Sequence, residues 1–238
     1  MKIKATFRLI VVLICLFILQ DKAYSQACEQ LELLKEGTSY TLKNYNNKEK
    51  LTSTSKNNII KVTNKDGGVE ALVKNEIFDN KDKPSGGGEV TMLCKDDVIY
   101  IDLRSLLNQQ SMAGFENMDM EIENNLLQLP SNLKPGQQLP DGNLKMRITS
   151  EGIKIATIEL KIYNRNVQAS EQITTEAGTF DTHKISYDME MITTTIIPLK
   201  IISSTIEWYS VKYGVVRSES YNRNGKPLGY TVLTEFKQ

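Results

Sequence analysis

Histidine is nearly absent: the 238 residues include one, His183, together with three cysteines. Zinc sites use several histidine or cysteine ligands, and Ser–His–Asp or Cys–His catalysis would depend on that single histidine. The sequence also lacks a nucleophile-elbow motif. We therefore predict no catalytic residue, no metal and no cofactor, and we expect His183 to be a hydrogen-bonded structural residue.

An excess of charge of either sign is also absent, because 29 basic residues balance 29 acidic ones. Without residues 1–25 the remaining chain has 25 basic and 28 acidic residues, a charge of −3. Nucleic acids and anionic membranes attract proteins with a basic excess. Neither is therefore predicted as an electrostatic partner.

Long apolar runs are missing after the first twenty residues. Leu9–Leu19 is apolar apart from one cysteine, follows a basic start, and precedes small residues at Ala23 and Ser25. This pattern predicts a secretory signal peptide over residues 1–25 and an exported chain over residues 26–238. No later run approaches the roughly 20 residues that span a bilayer, so no transmembrane span is predicted in the exported chain.

Cysteine is scarce as well, and export would leave only Cys28 and Cys94. Exported proteins fold in an oxidising setting, so the simplest prediction is a disulfide between these two residues. The alternative is lipid anchoring at Cys28. Ser25, three positions upstream, is not the apolar residue that such a cleavage site usually shows, so we favour a chain free in the periplasm or outside the cell.

What the sequence does contain is an alternation of apolar and polar residues between frequent turn signals. Leu144, Met146 and Ile148 alternate with polar residues, as do the residues of Ile158–Ile162, which is typical of half-buried strands. Ile153 and Ile155 have the opposite parity, and a bulge near Thr157 would reconcile the two. The sequence predicts one all-β domain with an antiparallel curved sheet, either a half-open barrel or a sandwich.

Helical patterns are few, and at most one or two short helices are predicted. Leu103–Met112 has apolar residues on one helical face. Glu116–Leu129 is compatible with a helix or a strand. Residues 126–141 contain three prolines and are expected to cross the end of the sheet.

Aromatic residues are sparse but concentrate near the C-terminus. Residues 206–219 are typical of a hairpin in which Gly214 takes a positive φ at the turn. Trp208, Tyr209 and Arg217 could form a ligand platform. We favour the alternative that Trp208 is a core anchor and that Arg217 pairs with a neighbouring glutamate.

Five segments resemble the TapB-like family of exported bacterial proteins. They are Ala177–Asp181, Lys184–Tyr187, Glu207–Ser210, Tyr213–Glu219 and Leu133–Asp141. The resemblance implies an exported β-rich domain of unknown function, and it implies no catalytic residue.

The leading functional hypothesis is a non-enzymatic exported protein that binds a hydrophobic or extended ligand, or an envelope partner, on the concave face of its sheet. The alternative is a structural or assembly component of the cell envelope without a small ligand. A hydrolase that acts on polysaccharide through two carboxylates ranks third.

Overall fold

The computed structural model describes residues 28, 30–65, 67–107, 115 and 118–238. The predicted signal peptide, residues 1–25, and its cleavage site lie outside the described residues. Within the described part of the chain, no helix is long and apolar enough to cross a membrane.

Thirteen strands form one antiparallel sheet in the described residues. The strands are β1 (Ser39–Asn46), β2 (Leu51–Lys65), β3 (Gly68–Asp79), β4 (Pro84–Lys95), β5 (Val98–Asp102), β6 (Asp119–Glu123), β7 (Leu126–Pro130), β8 (Gly142–Ser150), β9 (Ile153–Thr175), β10 (Gly178–Thr194), β11 (Pro198–Ser210), β12 (Gly214–Asn222) and β13 (Pro227–Lys237). Their order in the sheet is β6-β8-β9-β10-β11-β12-β13-β1-β2-β3-β4-β5-β7.

The two edge strands of this sheet are neighbours in sequence. β6 ends at Glu123 and β7 begins at Leu126, so only two residues separate the two edges. A sheet with this many strands brings its edges together by curling. Because the described ladder does not continue from β6 to β7, the sheet is curved but not closed. The predicted all-β class and antiparallel curved sheet are confirmed.

The apolar face of β8 and β9 forms one part of the core. Leu144, Met146 and Ile148 are at most 2% exposed, and they pack in one cluster with Ile158 and Leu160. Burying side chains of this size stabilises the fold by about 1.5–3 kcal/mol each. The alternation read from the sequence therefore identified the buried face correctly.

The predicted bulge in β9 is confirmed close to its expected position. The register of β8 against β9 shifts between Ile148 and Thr149, which leaves Ile155 as an extra residue. This position is two residues from the predicted Thr157. The extra residue reverses the parity of the strand. The apolar residues before the bulge, such as Ile153, and those after it, such as Ile158, therefore follow two separate alternating patterns.

The predicted helix at Leu103–Met112 is shorter than expected. A 3₁₀ helix spans Leu103–Leu106, where the Asp102 carboxylate accepts a hydrogen bond from the Arg104 N–H at 2.9 Å. Residues 108–112 lie outside the described residues. In the segment 116–129 the strand alternative is correct from residue 119 onward, because β6 and β7 occupy it.

The proline-rich connection after β7 crosses beside β9. The N–H groups of Gly136 and Leu139 donate to the carbonyls of Val167 at 2.7 Å and Arg165 at 3.0 Å. The Arg165 side chain is 3% exposed, and its Nη1 donates to the Gln128 carbonyl of β7 at 2.8 Å. These bonds connect the edge strand β7 to β9. The two strands do not pair with each other in the described sheet.

The start of the described chain is held against the sheet. The Sγ atoms of Cys28 and Cys94 lie 2.05 Å apart, at disulfide distance, and both residues are at most 4% exposed. A second 3₁₀ helix, Glu32–Leu34, follows, and its first N–H donates to the Lys212 carbonyl at 3.0 Å. The N-terminal segment therefore contacts both β4 and the turn between β11 and β12.

Candidate functional site

A cleft of about 610 Å³ lies between the β9–β10 hairpin and the turn that joins β11 to β12. Its lining comes from residues 170–172, 179–183 and 210–213. Pairing of β10 with β11 stops at His183, opposite Tyr209, although β10 continues back to Gly178. Among the described residues, no strand pairs with this side of β10, which therefore presents a strand edge next to the cleft.

Most of the residues that line the cleft are polar, although polar and apolar atoms share its surface about equally. Glu171, Asp181 and Lys212 supply charges of both signs, and threonine and serine hydroxyls lie between them. The half-buried Tyr213 supplies aromatic surface, and its ring packs edge to face against the buried Phe180, with the centroids 5.1 Å apart. Carboxylate, ammonium, hydroxyl and aromatic groups at a strand edge suit an extended polar ligand better than an apolar one.

These lining residues were not predicted as a site. Asp181 and Tyr213 belong to segments that resemble the TapB-like family, but no sequence feature distinguished them from other hairpin residues. The cleft forms because β10 extends beyond the end of β11. The relative lengths of two neighbouring strands cannot be predicted from the local alternation of apolar and polar residues.

His183 lies in this lining and is half-buried. Its Nδ1 is 3.1 Å from the Ser170 hydroxyl on the neighbouring strand. Burial lowers the pKa of His183, which favours the neutral ring. The hydrogen bond expected of a structural histidine is present, and its dispensability for chemistry stays a prediction.

Trp208 is buried, with 8% of its surface exposed. Its indole N–H donates to Glu171 Oε1 at 2.6 Å, and the Lys184 ammonium lies 5.2 Å from the ring centroid. Since Glu171 also lines the cleft, this bond holds one carboxylate of the lining in place.

The other two residues of the predicted platform have different surroundings. Tyr209 follows Trp208 in β11 and points to the opposite face, where it packs in the core and is 2% exposed. Arg217 pairs with Trp208 in the ladder, bonds Glu219 two residues along its own strand at 2.9 Å, and stacks on Tyr230 at 4.8 Å. The structure thus brings Arg217 beside Trp208 but separates Tyr209 from both, and a binding role for the three stays a prediction.

A polar network lies inside the curved sheet. The Tyr187 hydroxyl donates to Glu207 Oε2 at 3.3 Å. Burial raises the pKa of Glu207 to about 6, although the Tyr187 hydrogen bond and the Arg165 charge both act to lower it. Burial also raises the pKa of Tyr187. Within the described residues, no group of three or more His, Cys, Asp and Glu side chains could hold a metal ion.

Residues 35–233 match a family described as DUF3108-like. The chain belongs to the DUF3108-like family. This family marks a domain of unknown function, so membership alone assigns no activity. The narrower TapB-like resemblance stays a prediction, because the match is to the DUF3108-like family and not to TapB specifically.

Two solved structures are similar to this DUF3108-like chain. A candidate lipoprotein from Parabacteroides distasonis is 25% identical with a TM-score of 0.71, and the match covers 86% of this chain and 96% of that one. A candidate exported protein with a YmcC-like fold from Bacteroides fragilis is 25% identical with a TM-score of 0.70, and the match covers 86% and 97%. No curated protein matches the chain.

The raised pKa of Glu207 predicts a pH-dependent stability in this DUF3108-like fold. The folded-state pKa of about 6 lies above the ordinary 4.5, so the folded protein holds this proton more tightly than the unfolded chain. The contribution of Glu207 is therefore fully present below about pH 4.5 and falls by about 2 kcal/mol as the pH rises past about 6. We expect the free energy of unfolding of wild type, relative to Glu207→Gln, to fall by that amount, measured by urea unfolding across this range.

Glu219→Gln is the matched control for this experiment. The hydrogen bonds from Tyr221 and Arg217 hold the pKa of Glu219 below its ordinary value, although burial, the largest single influence, acts to raise it. Its contribution is present above the ordinary pKa and is lost as the pH falls, so the slope should have the opposite sign. A difference between wild type and Glu207→Gln that does not change with pH would contradict the prediction.

Proposed function

We propose that this protein is an exported, non-enzymatic β-sheet protein of the bacterial cell envelope that binds an extended peptide segment of a partner in the cleft. The single observation that carries the proposal is the edge of β10 from Gly178 to Thr182, which adjoins the cleft and, in the part of the chain that the structure describes, has no neighbouring strand on the side of β11. A strand edge offers backbone N–H and C=O groups in a row, and an extended peptide pairs with it as an added strand.

The lining of the cleft favours a peptide over a hydrophobic ligand. Asp181 and Glu171 can accept hydrogen bonds or pair with basic side chains, and Lys212 can pair with acidic ones. The half-buried Tyr213 offers aromatic surface to an apolar side chain of the same peptide. An extended ligand with alternating side chains can contact both kinds of group, whereas a lipid-like ligand would cover the charged groups with apolar surface and exclude water from them.

Location in the envelope is supported by the similar structures, one a candidate lipoprotein and one a candidate exported protein. For this chain we favour a soluble exported form. The Cys28 sulfur lies at disulfide distance from that of Cys94, and a sulfur in a disulfide is not available for acylation. A structural or assembly role in the envelope remains the second candidate, and in that case the cleft would have no separate ligand.

Crosslinking in the cell tests the proposal. A photoreactive residue at Thr179, an exposed position in the cleft lining, should give an adduct with a protein partner when irradiated in the cells that export the chain. The same residue at Thr52, an exposed threonine of β2 outside the lining, is the matched control and should give about tenfold less adduct if the cleft supplies the affinity.

A charge reversal connects the adduct to the chemistry of the cleft. Asp181→Lys should remove most of the adduct at Thr179, because the exposed carboxylate belongs to the lining and its reversal changes the charge that the peptide meets. Equal adducts at positions 179 and 52, a glycan instead of a peptide in the adduct, or insensitivity to Asp181→Lys would each reject the proposed function.

A further inference from the structure

An exposed apolar tip lies at the other end of β10 from the cleft. Here the β10–β11 hairpin turns through Thr195, Ile196 and Ile197. Ile196 is 95% exposed and Ile197 is 77% exposed, and Leu199 and Ile201 on β11 are 62% and 43% exposed. Single exposed apolar side chains are ordinary, but four of them in six residues of one hairpin form a patch that marks an interaction surface.

The hairpin projects past its neighbour. Pairing of β11 with β12 begins at Ser203, opposite Asn222, so Pro198–Ile202 extends beyond the end of that ladder. At strand geometry this overhang is about 15 Å. The projecting tip can therefore contact a flat surface without obstruction from β12.

The groups around the tip are mainly basic. Lys200 lies in the apolar segment itself, and Arg223 in the β12–β13 turn lines a second cavity of about 490 Å³ together with Lys200 and Ile202. Lys226 lies in the same turn as Arg223, and Lys154 lies at the exposed start of β9, next to the 67% exposed Ile153.

Acidic groups are present but fewer at this position. Glu190 forms an ion pair with Lys200 at 2.8 Å, and Glu151 lies in the β8–β9 turn. The overall charge of −3 for residues 26–238, which argued against an anionic membrane, therefore does not describe this end of the sheet. Charge is distributed unevenly, with basic side chains gathered around the apolar tip.

From this combination we propose that the β10–β11 tip is a membrane-docking element that inserts Ile196 and Ile197 into the surface of an anionic lipid bilayer. Isoleucine side chains enter the boundary between headgroups and acyl chains, while lysine and arginine set back from the tip contact the lipid phosphates above that boundary. A protein partner would more often be met by a patch with hydrogen-bonding groups at its rim, whereas the bulky aliphatic side chains of the tip are flanked by more basic than acidic groups, as binding to an anionic surface requires. The proposal is independent of the cleft at the other end of β10.

Vesicle binding tests the proposal. The purified exported protein should sediment with phosphatidylglycerol-containing vesicles, bind phosphatidylcholine vesicles more weakly, and release as salt increases. The variant Ile196→Ser/Ile197→Ser should bind the vesicles with an affinity lower by about tenfold or more, because serine lacks the apolar area that each isoleucine would bury in lipid. Ile60→Ser, an exposed isoleucine of β2 with 41% exposure, is the matched control and should bind as wild type.

A second variant reports insertion directly. Ile196→Trp should show a blue-shifted emission with vesicles and should be quenched by brominated acyl chains, whereas the buried Trp208 of wild type should respond to neither. Both tip changes replace exposed side chains, so thermal melting should stay within about 2 °C of wild type.

Three results would overturn the proposal. The first is that the wild-type protein does not bind anionic vesicles, and the second is that the serine variant binds them as well as wild type. The third is that the tip forms a contact between two copies of the chain. The last would be recognised by wild-type dimers in sedimentation velocity that become monomers in the serine variant, without vesicle binding. Crosslinking at Thr179 would be unaffected in each case, so the cleft and the tip are tested separately.

Discussion

Trp208→Ala is expected to lower the free energy of unfolding by about 3 kcal/mol, at the lower end of the range for emptying a large aromatic site. The side chain is 8% exposed, so the substitution removes apolar area that neighbouring side chains cover in the folded protein. The lower end applies because its neighbours include the charged Lys184 and Glu171, which water can solvate once the ring is gone. In a chain of this size the melting temperature should fall by about 6–12 °C.

Trp208→Phe separates packing from hydrogen bonding. Phenylalanine keeps much of the ring area but cannot donate to Glu171, a bond of 2.6 Å in the wild type, so a loss of about 1–2 kcal/mol is expected. Thermal and urea unfolding of the three proteins measure both effects. If Trp208→Ala melted within about 2 °C of wild type, the core assignment would be wrong and a ligand role for Trp208 and Arg217 would become the better interpretation.

The sequence was most informative where alternation is regular. Leu144, Met146 and Ile148 were identified as buried because β8 keeps one parity along that stretch, and they are at most 2% exposed. The Gly214 turn was also predicted correctly: its φ is +80°, and a Cβ there would lie 2.7 Å from Leu33 Cδ1. Local chemistry determines both features, so a single sequence suffices to find them.

Alternation misleads where a bulge changes parity without a compositional mark. In β13, Tyr230, Val232 and Phe236 share one parity, which predicts that they form one face of the strand. The buried residue is instead Leu233, which has no exposed surface. The register against β1 shifts between Thr41 and Leu42, which places Leu233 and Phe236 on the same side. No residue type in this strand signals that shift.

The cleft and the buried network depend on contacts between distant parts of the chain. Arg165 reaches the Gln128 carbonyl 37 residues away, and Tyr187 reaches Glu207 20 residues away. A single sequence carries no signal for such pairs, because any arginine or glutamate in a strand is compatible with a solvated position. The tip differs, since Ile196 and Ile197 are visible in the sequence, but their exposure follows only from the overhang past β12.

The double variant Cys28→Ala/Cys94→Ala is expected to lower the free energy of unfolding by about 4 kcal/mol, because a disulfide across this span removes much of the entropy of the unfolded chain. The two residues are 66 positions apart, and both are at most 4% exposed. The bridge would also fasten the N-terminal 3₁₀ helix, whose Leu33 packs against Gly214. We therefore expect the loss to include fraying of that helix from the β11–β12 turn, detectable as faster amide exchange at Glu32.

Reduction provides the matched control, since a reductant should lower the stability of wild type toward that of the double variant and leave the variant unchanged.

Thiol labelling of the denatured, unreduced protein then identifies the state of each cysteine. A processed and bridged chain has no reactive thiol, whereas a chain that keeps its first 25 residues has one, at Cys15. A reactive Cys94 together with a diacylglycerol mass on Cys28 would show a lipoprotein, and two reactive thiols on an unmodified processed chain would exclude the bridge. Either result would reject the disulfide, and the first would also replace the soluble form with an anchored one.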